Sequence, residues 1–218
     1  LALTQEPGAA LQYGATEGFG PLREQLAHFM GQKGAKDVAP EQLIVTTGSQ
    51  QALDLIGKTM ISPGDKVIVS RTLHKSVLVG MVYAGVVPVW VRPEINPATG
   101  LPEYLRSTRL RETLAEHPDA KAVLIGEPSY VGTMSNIPRL SAACHDYGIP
   151  LVVDAAWAAH FGFHPDLPKN PLDEGADIVV TSAHKTLPSY SQASFVLAKG
   201  DYVDLPRLNK TFDSTQTT

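Results

Sequence analysis

Apolar positions along the chain form two alternating patterns. Short, almost uninterrupted apolar runs predict strands, and these lie at residues 43–47, 66–69, 86–91, 122–125, 151–154, 178–182 and 194–198. Apolar residues at helical spacing predict helices between them, from Pro21 to near residues 31–34 and over residues 49–60, 76–84, 105–115 and 137–147. Strands that are apolar throughout are typical of parallel sheets covered on both faces. The alternation therefore predicts a three-layer α/β/α sandwich with a mostly parallel sheet.

The remaining segments predict how the chain is organised. Residues 1–20 are rich in Gly, Ala and Thr without an apolar period, so we expect a loop there and the α/β domain over residues 21–218. Residues 92–104 are rich in proline and predict an extended excursion. The chain does not begin with Met and ends on the polar run DSTQTT, so we expect it to be a segment of a longer polypeptide.

Composition narrows the classes of function. The net charge is −4 and Lys and Arg form no run, which argues against nucleic-acid binding. A single cysteine, Cys144, cannot form an internal disulfide, so a reducing compartment such as the cytoplasm is expected. The sequence has neither an apolar run of about 18 residues nor the pattern of a signal peptide, so no membrane span is expected.

Candidate chemistry lies directly after the predicted strands. In parallel sheets, ligands gather beyond the carboxyl ends of the strands. Gly48, Ser49 and Gln50 join a strand to a helix, where free backbone N–H groups and the serine hydroxyl form an anion site suited to a phosphate. A simple N-cap by Ser49 explains the same residues and is compatible with that site.

Three further strand ends carry titratable groups. Lys185 follows a strand beside Ser182 and His184, so it is either a buried lysine able to form a Schiff base or an ordinary surface lysine. Asp154 ends its strand and either pairs with a protonated ring nitrogen of a cofactor or caps a turn. His74 either stacks on a cofactor ring or is a partly buried polar residue.

Other chemistries find little support. His160 and His164 lie four residues apart, but no third ligand has suitable spacing, so no metal site is expected. The phosphate-binding signatures G-x-G-x-x-G and G-x-x-x-x-G-K-[ST] do not occur, and neither does the hydrolase signature G-x-S-x-G.

Taken in order, these motifs resemble the large domain of fold-type I pyridoxal phosphate enzymes. Residues 12–69, with LQYGATEGFGPLREQLA and IVTTGSQQALDLIGKTMISPGDKVIV, resemble class I/II aminotransferases of the 2-aminoadipate and aromatic type. Residues 70–218 resemble the Orn/Lys/Arg decarboxylase family, and the motifs that carry this resemblance are SRTLHKSVLVGMVYAG, EPSYVGTMSNI, LVVDAAWAAHFGFHPDLP, TSAHKTLPSYSQAS and FDSTQTT.

The resemblance implies pyridoxal 5'-phosphate as cofactor and assigns a role to each candidate residue. Lys185 is the Schiff-base lysine, His74 stacks on the ring, Asp154 pairs with the pyridine nitrogen and Ala156 lies against the ring. The phosphate would be held within the subunit by Gly48, Ser49, Gln50, Ser182 and His184. Tyr13, and Thr217 or Thr218, would reach the phosphate of a neighbouring subunit, which implies a homodimer or larger assembly with shared sites.

Three functions remain open. Decarboxylation of lysine, ornithine or arginine is favoured by His74 and by the runs around Asp154 and Lys185. Aminotransferases usually have Tyr or Phe where His74 falls, and Tyr where Trp157 stands, but residues 12–69 favour an aminotransferase. A non-catalytic fragment or pseudoenzyme is the third, because the C-terminal small domain of these enzymes is absent from the chain.

Overall fold

The structure is a computed structural model that describes residues 14–32 and 38–215. Its strands are β1 (Leu43–Thr47), β2 (Lys66–Ser70), β3 (Val87–Val91), β4 (Ala122–Gly126), β5 (Leu151–Asp154), β6 (Ile178–Ser182) and β7 (Ala193–Ala198). Its helices are α1 (Gly20–Gln32), α2 (Ser49–Met60), α3 (Lys75–Ala84), α4 (Ser107–Glu116), α5 (Ile137–His145), α6 (Ala183–Thr186) and α7 (Leu205–Thr215), with a 3-10 turn at Pro40–Gln42.

The seven strands form one sheet in the order β1-β7-β6-β5-β4-β2-β3. The strands β6, β5, β4, β2 and β3 pair in parallel, whereas β7 is antiparallel to both of its neighbours. The connection between β6 and β7 holds only the short helix α6, which is too short for a parallel crossover, so β7 returns antiparallel. The predicted mostly parallel sheet is confirmed.

Helices cover both faces of the sheet and create two apolar cores. Alternate residues of a strand point to opposite faces, and β2 shows this: Ile68 belongs to one core while Val67 and Val69 belong to the other. The first core takes buried residues from α4 and α5, and the second takes them from α2 and α7. This arrangement is the predicted three-layer sandwich.

The main difference from the prediction is at the carboxyl end of the described chain. The sequence analysis predicts no element after the strand at residues 194–198, but residues Leu205–Thr215 form α7, whose Leu208 and Phe212 are buried in the second core. Only a few apolar residues, spaced three and four apart among polar ones, mark this helix in the sequence. The proline-rich excursion is irregular and not extended throughout, because it turns at residues 97–99 and its two arms meet in an antiparallel bridge between Ile95 and Pro102. Among the helices that the structure describes, none has the length and apolar content needed to cross a bilayer.

Candidate active site

A cavity of about 620 Å³ opens at the carboxyl ends of the parallel strands. Residues that follow β1, β2, β4, β5 and β6 line it, because these strands all run in the same direction. The structure brings together all of the predicted site residues that it describes, and these are Gly48, Ser49, Gln50, His74, Asp154, Ala156, Ser182, His184 and Lys185. Tyr13, Thr217 and Thr218 lie outside the described residues.

The amino terminus of α2 forms one wall. Gly48, not Ser49, is the N-cap residue, so the predicted N-cap by Ser49 is wrong. The reason is the backbone: Gly48 has φ of 81°, a conformation that favours glycine. No side chain caps this helix and its first turn has no acidic residue, so the positive end of the helix dipole faces the cavity. This wall suits a phosphate.

Asp154 lies at the floor of the cavity, at the end of β5. Its side chain is buried, with 9% of the residue exposed, and Oδ1 accepts a hydrogen bond of 3.2 Å from the backbone N–H of Ala156. Burial raises the pKa of Asp154, and the Ala156 hydrogen bond and the charges of Lys185 and His74 lower it less. Within the described part of the chain no cation forms an ion pair with this carboxyl group. A protonated ring nitrogen would therefore fit its surroundings.

Lys185 extends into the open cavity. The expectation of a buried lysine is wrong, because α6 begins directly after β6 and leaves Lys185 exposed. Its Nζ lies 5.7 Å from the centroid of the Trp157 ring. The lysine is therefore accessible to a molecule in the cavity.

Ser182 and His184, on either side of Ala183, are more enclosed. Ser182 is fully buried, and its Oγ accepts a hydrogen bond of 3.4 Å from Ser194. His184 is half-buried, and its Nδ1 lies 2.9 Å from the carbonyl oxygen of Ala193. Because a carbonyl oxygen only accepts, His184 carries its proton on Nδ1, which fixes the orientation of the ring.

His74 lies at the rim and serves as the N-cap of α3. Its Nδ1 accepts a hydrogen bond of 3.2 Å from the backbone N–H of Ser76. The side chain is exposed, which contradicts the alternative of a partly buried residue. Its ring centroid lies 6.4 Å from that of Tyr130, with 34° between the ring planes. His74 thus has a structural role, and its ring also faces the cavity.

An aromatic pair that sequence reasoning did not assign to the site completes the wall. The rings of Tyr130 and Trp157 meet edge to face, with centroids 5.1 Å apart. Their positions after β4 and β5 could have identified them. Gln192, which precedes β7 and lines the cavity opposite Gly48, has no such signal. The other unassigned lining residues are Thr47, Thr72, Ser76, Gly126 and Pro128.

No cluster of three or more His, Cys, Asp or Glu side chains suited to a metal ion occurs in the described segments. His164 lies 3.6 Å from a carboxylate oxygen of Asp166, and its ring is exposed.

Most of the chain is similar to a known protein family. Residues 33–218 match the family described as Orn/Lys/Arg decarboxylase, major domain. The match begins well before Ser70, so the decarboxylase resemblance extends further toward the amino terminus than the sequence analysis predicted.

Individual relatives include both enzyme classes. The chain is 33% identical over 171 residues to an arginine decarboxylase of Halalkalibacterium halodurans, covering 78% of this chain and 35% of that protein. It is 46% identical over 66 residues to a 2-aminoadipate transaminase of Thermus thermophilus, covering 30% of this chain and 15% of that protein. The chain thus spans little more than a third of the length of the arginine decarboxylase.

Solved structures of aminotransferases share the fold. A mutant aspartate aminotransferase of Thermus thermophilus superimposes with a TM-score of 0.79, covering 98% of this chain and 57% of that chain. Sequence identity to it is 22%, so this similarity concerns the fold. The fold is therefore the α/β fold of fold-type I pyridoxal phosphate enzymes.

Proposed function

Because the chain belongs to the Orn/Lys/Arg decarboxylase family, we propose that it binds pyridoxal 5'-phosphate and decarboxylates a basic amino acid. The observation that carries the proposal is the convergence of Lys185, Asp154 and the amino terminus of α2 on one cavity. These groups lie after three different strands, and they match the reactive carbonyl, the ring nitrogen and the phosphate of this cofactor. Residues 21–218 would form the cofactor-binding large domain.

The cavity wall offers a binding group for each part of the cofactor. The N–H groups at the start of α2, the hydroxyls of Ser49 and Ser182, and His184 would hold the phosphate, with Gly48 and Gln50 shaping the wall. The ring would lie between His74 and Ala156. Lys185 would bind the cofactor covalently, since its exposed Nζ is free to reach into the cavity.

Bound pyridoxal phosphate supplies an electron sink for the electron pair left when the substrate loses CO2. Asp154 would hold a proton at the ring nitrogen. Burial disfavours its charged carboxylate, and a positive charge beside it would stabilise that charge. Lys185 Nζ would hold or move a proton beside the reacting carbon. Tyr130 and Trp157 would exclude water from one side of the cavity.

The substrate class we propose is lysine, ornithine or arginine. Such a substrate carries a cationic side chain, and Asp154 is the only carboxylate among the described residues that line the cavity. Asp154 is assigned to the ring nitrogen. We therefore infer that the acidic group that binds the substrate's side chain comes from residues other than those that line this cavity.

A homodimer with shared sites would supply such groups, and the surface of α3 supports it. Leu78, Val79, Val82 and Tyr83 form one face of this helix and are exposed, Tyr83 to 85%. An apolar face of this kind marks an interaction surface. In the dimer, Tyr13 and Thr217 or Thr218 would reach the neighbour's phosphate. Light scattering at micromolar concentration tests this, because a monomer with full activity contradicts it.

The cytoplasm is the compartment we propose, on the evidence of the single cysteine. Cys144 is buried, and burial raises its pKa to about 12, so the thiol stays protonated and unreactive. A buried thiol of this kind forms no disulfide, and free cysteines are typical of a reducing compartment.

Aminotransfer is the second candidate, favoured by the 46% identity over 66 residues to a transaminase. The deciding experiment offers lysine, ornithine and arginine with cofactor, each with and without 2-oxoglutarate. Release of CO2 independent of 2-oxoglutarate supports the decarboxylase. Glutamate formation that requires 2-oxoglutarate, without CO2, supports the aminotransferase. If cofactor binds and neither product forms, a non-catalytic binding role replaces both.

A further inference from the structure

Glu127 is a buried carboxyl group directly behind the cavity. It follows the last residue of β4, only 5% of it is exposed, and its backbone N–H donates to the carbonyl oxygen of Asp154 at 3.0 Å. Gly126 and Pro128, on either side of it, line the cavity, but Glu127 itself does not. Its side chain therefore acts from behind the cavity wall.

The carboxyl group of Glu127 joins the two ends of the segment formed by residues 127–135. Its Oε2 accepts a hydrogen bond of 3.0 Å from the backbone N–H of Ser135, and Oε1 accepts from the hydroxyl of the same residue. Ser135 Oγ in turn accepts from the backbone N–H of Leu105 at 2.9 Å. The segment carries Tyr130, whose ring meets Trp157, and hydrogen bonds between Ser129 and Thr133 hold the turn around it. Closing the ends of the segment sets where this turn, and with it the tyrosine ring, lies.

We propose that Glu127 is a positioning residue of the candidate active site. Its carboxyl group holds residues 127–135 closed, and so sets the contact of Tyr130 with Trp157 and the main chain of Asp154. The catalytic meaning of this role rests on the proposed function. The positioning itself does not, because it concerns contacts within the chain.

The charge on Glu127 controls these contacts. Burial raises the pKa of Glu127 to about 7, against the opposing effect of the two hydrogen bonds from Ser135. The segments bonded to it carry Asp154, whose carbonyl oxygen accepts from the Glu127 N–H, and Glu103, whose carbonyl oxygen accepts from the Thr133 hydroxyl, and Tyr130 lies in its own segment. No lysine, arginine or histidine of the described chain forms an ion pair with it.

Protonation reverses one of the two hydrogen bonds that join Glu127 to Ser135. The N–H of Ser135 donates to Glu127 in both protonation states, whereas the Ser135 hydroxyl donates to the carboxylate and accepts from the protonated carboxyl group. The pKa of Glu127 is about 7 in the closed segment and has the ordinary value of 4.5 when the carboxyl group is exposed, so closing favours the protonated form. The segment is therefore held closed below neutral pH and loosened as the pH rises through 7.

The test is a pH titration of tryptophan fluorescence. The sequence contains two tryptophans, so a Trp90→Phe background leaves Trp157 as the sole reporter next to Tyr130. Between pH 5.5 and 8.5 the emission should show a transition centred near pH 7 that is absent after Glu127→Gln. Any contribution from His74 or His184, which also line the cavity, remains in both proteins.

Ser135→Ala provides a second and independent variant. It removes the hydroxyl that favours the carboxylate, so the transition should move to higher pH by about one unit. The same titration in the parent and in Glu127→Gln, or an unmoved midpoint in Ser135→Ala, would overturn the proposal. The emission is measured without cofactor or substrate. The titration therefore tests the role of Glu127 even if the protein proves not to be a decarboxylase.

Discussion

The ammonium group of Lys185 lies 5.7 Å from the centre of the Trp157 ring. The two residues follow neighbouring strands, and the contact is a cation–π pair worth about 0.5–1 kcal/mol at an exposed site. Within the described residues Lys185 forms no ion pair. We therefore expect Lys185→Ala to lower the free energy of unfolding by at most about 1 kcal/mol in urea titrations. A loss of about 3 kcal/mol or more would show that this lysine is structural.

Asp154→Asn should separate activity from stability. The amide cannot hold a proton at a ring nitrogen, and losing a charge-assisted hydrogen bond worth about 2–4 kcal/mol slows turnover roughly 30- to 1000-fold. Stability at neutral pH should stay the same or rise, because burial disfavours the charged carboxylate. Steady-state rates and urea unfolding of the same preparation check both effects. A rate reduced less than threefold would make Asp154 a structural turn residue.

His74 should respond differently to two substitutions, because it both caps α3 and faces the cavity. His74→Phe keeps an aromatic ring but loses the cap, so stability should fall by about 1 kcal/mol and cofactor affinity should stay within about tenfold. His74→Asn keeps a capping side chain but loses the ring. Its stability should therefore stay near that of the parent, and its cofactor affinity should fall by more than about tenfold.

The His74→Phe variant also separates the two candidate reactions. If the site decarboxylates, His74→Phe should lower CO2 release by more than about tenfold, because phenylalanine lacks a polar ring edge toward the substrate. Transamination near the wild-type rate, with no decarboxylation in either protein, would favour the aminotransferase instead.

Stability should depend on pH through Glu127. Its folded pKa of about 7 lies above the ordinary 4.5, so its contribution to stability is fully present below pH 4.5 and is lost as pH rises through 7. The difference corresponds to about 3 kcal/mol. Relative to Glu127→Gln, the parent should lose about this much between pH 4.5 and pH 8 in urea unfolding.

The matched control for this measurement is Glu116→Gln, at the exposed end of α4. This substitution should change the loss in free energy of unfolding between pH 4.5 and pH 8 by less than about 0.5 kcal/mol. Equal pH dependence in the parent and in Glu127→Gln would show that the buried carboxyl group does not control stability.

Much of the fold could be predicted because the buried strands have a strong local signal. The bounds of β1, β5 and β6 match the apolar runs, since a strand covered on both faces needs apolar residues throughout. Helix α7 was missed because its few apolar residues become a helical face only when Leu208 and Phe212 pack into the core beside α2. That packing is tertiary and has no local signature.

Part of the candidate site could likewise be predicted from the sequence, and part could not. Residues directly after strands were found because a parallel sheet brings those ends together. The exposure of Lys185 depends on where α6 begins, and the cap at Gly48 depends on a positive φ. The pairing of Glu127 with Ser135 depends on the path of an irregular segment, so neither composition nor periodicity could have indicated it.

We propose above all that this cavity binds pyridoxal phosphate through Lys185. The most direct measurement is to incubate the protein with the cofactor, reduce it with borohydride, and locate the pyridoxyl group by peptide mass spectrometry. We predict a modified peptide containing Lys185, absent from Lys185→Ala and unchanged in the control Lys75→Ala, whose lysine does not line the cavity. Modification at Lys75 or at another lysine, or an unaltered pattern in Lys185→Ala, would contradict the account.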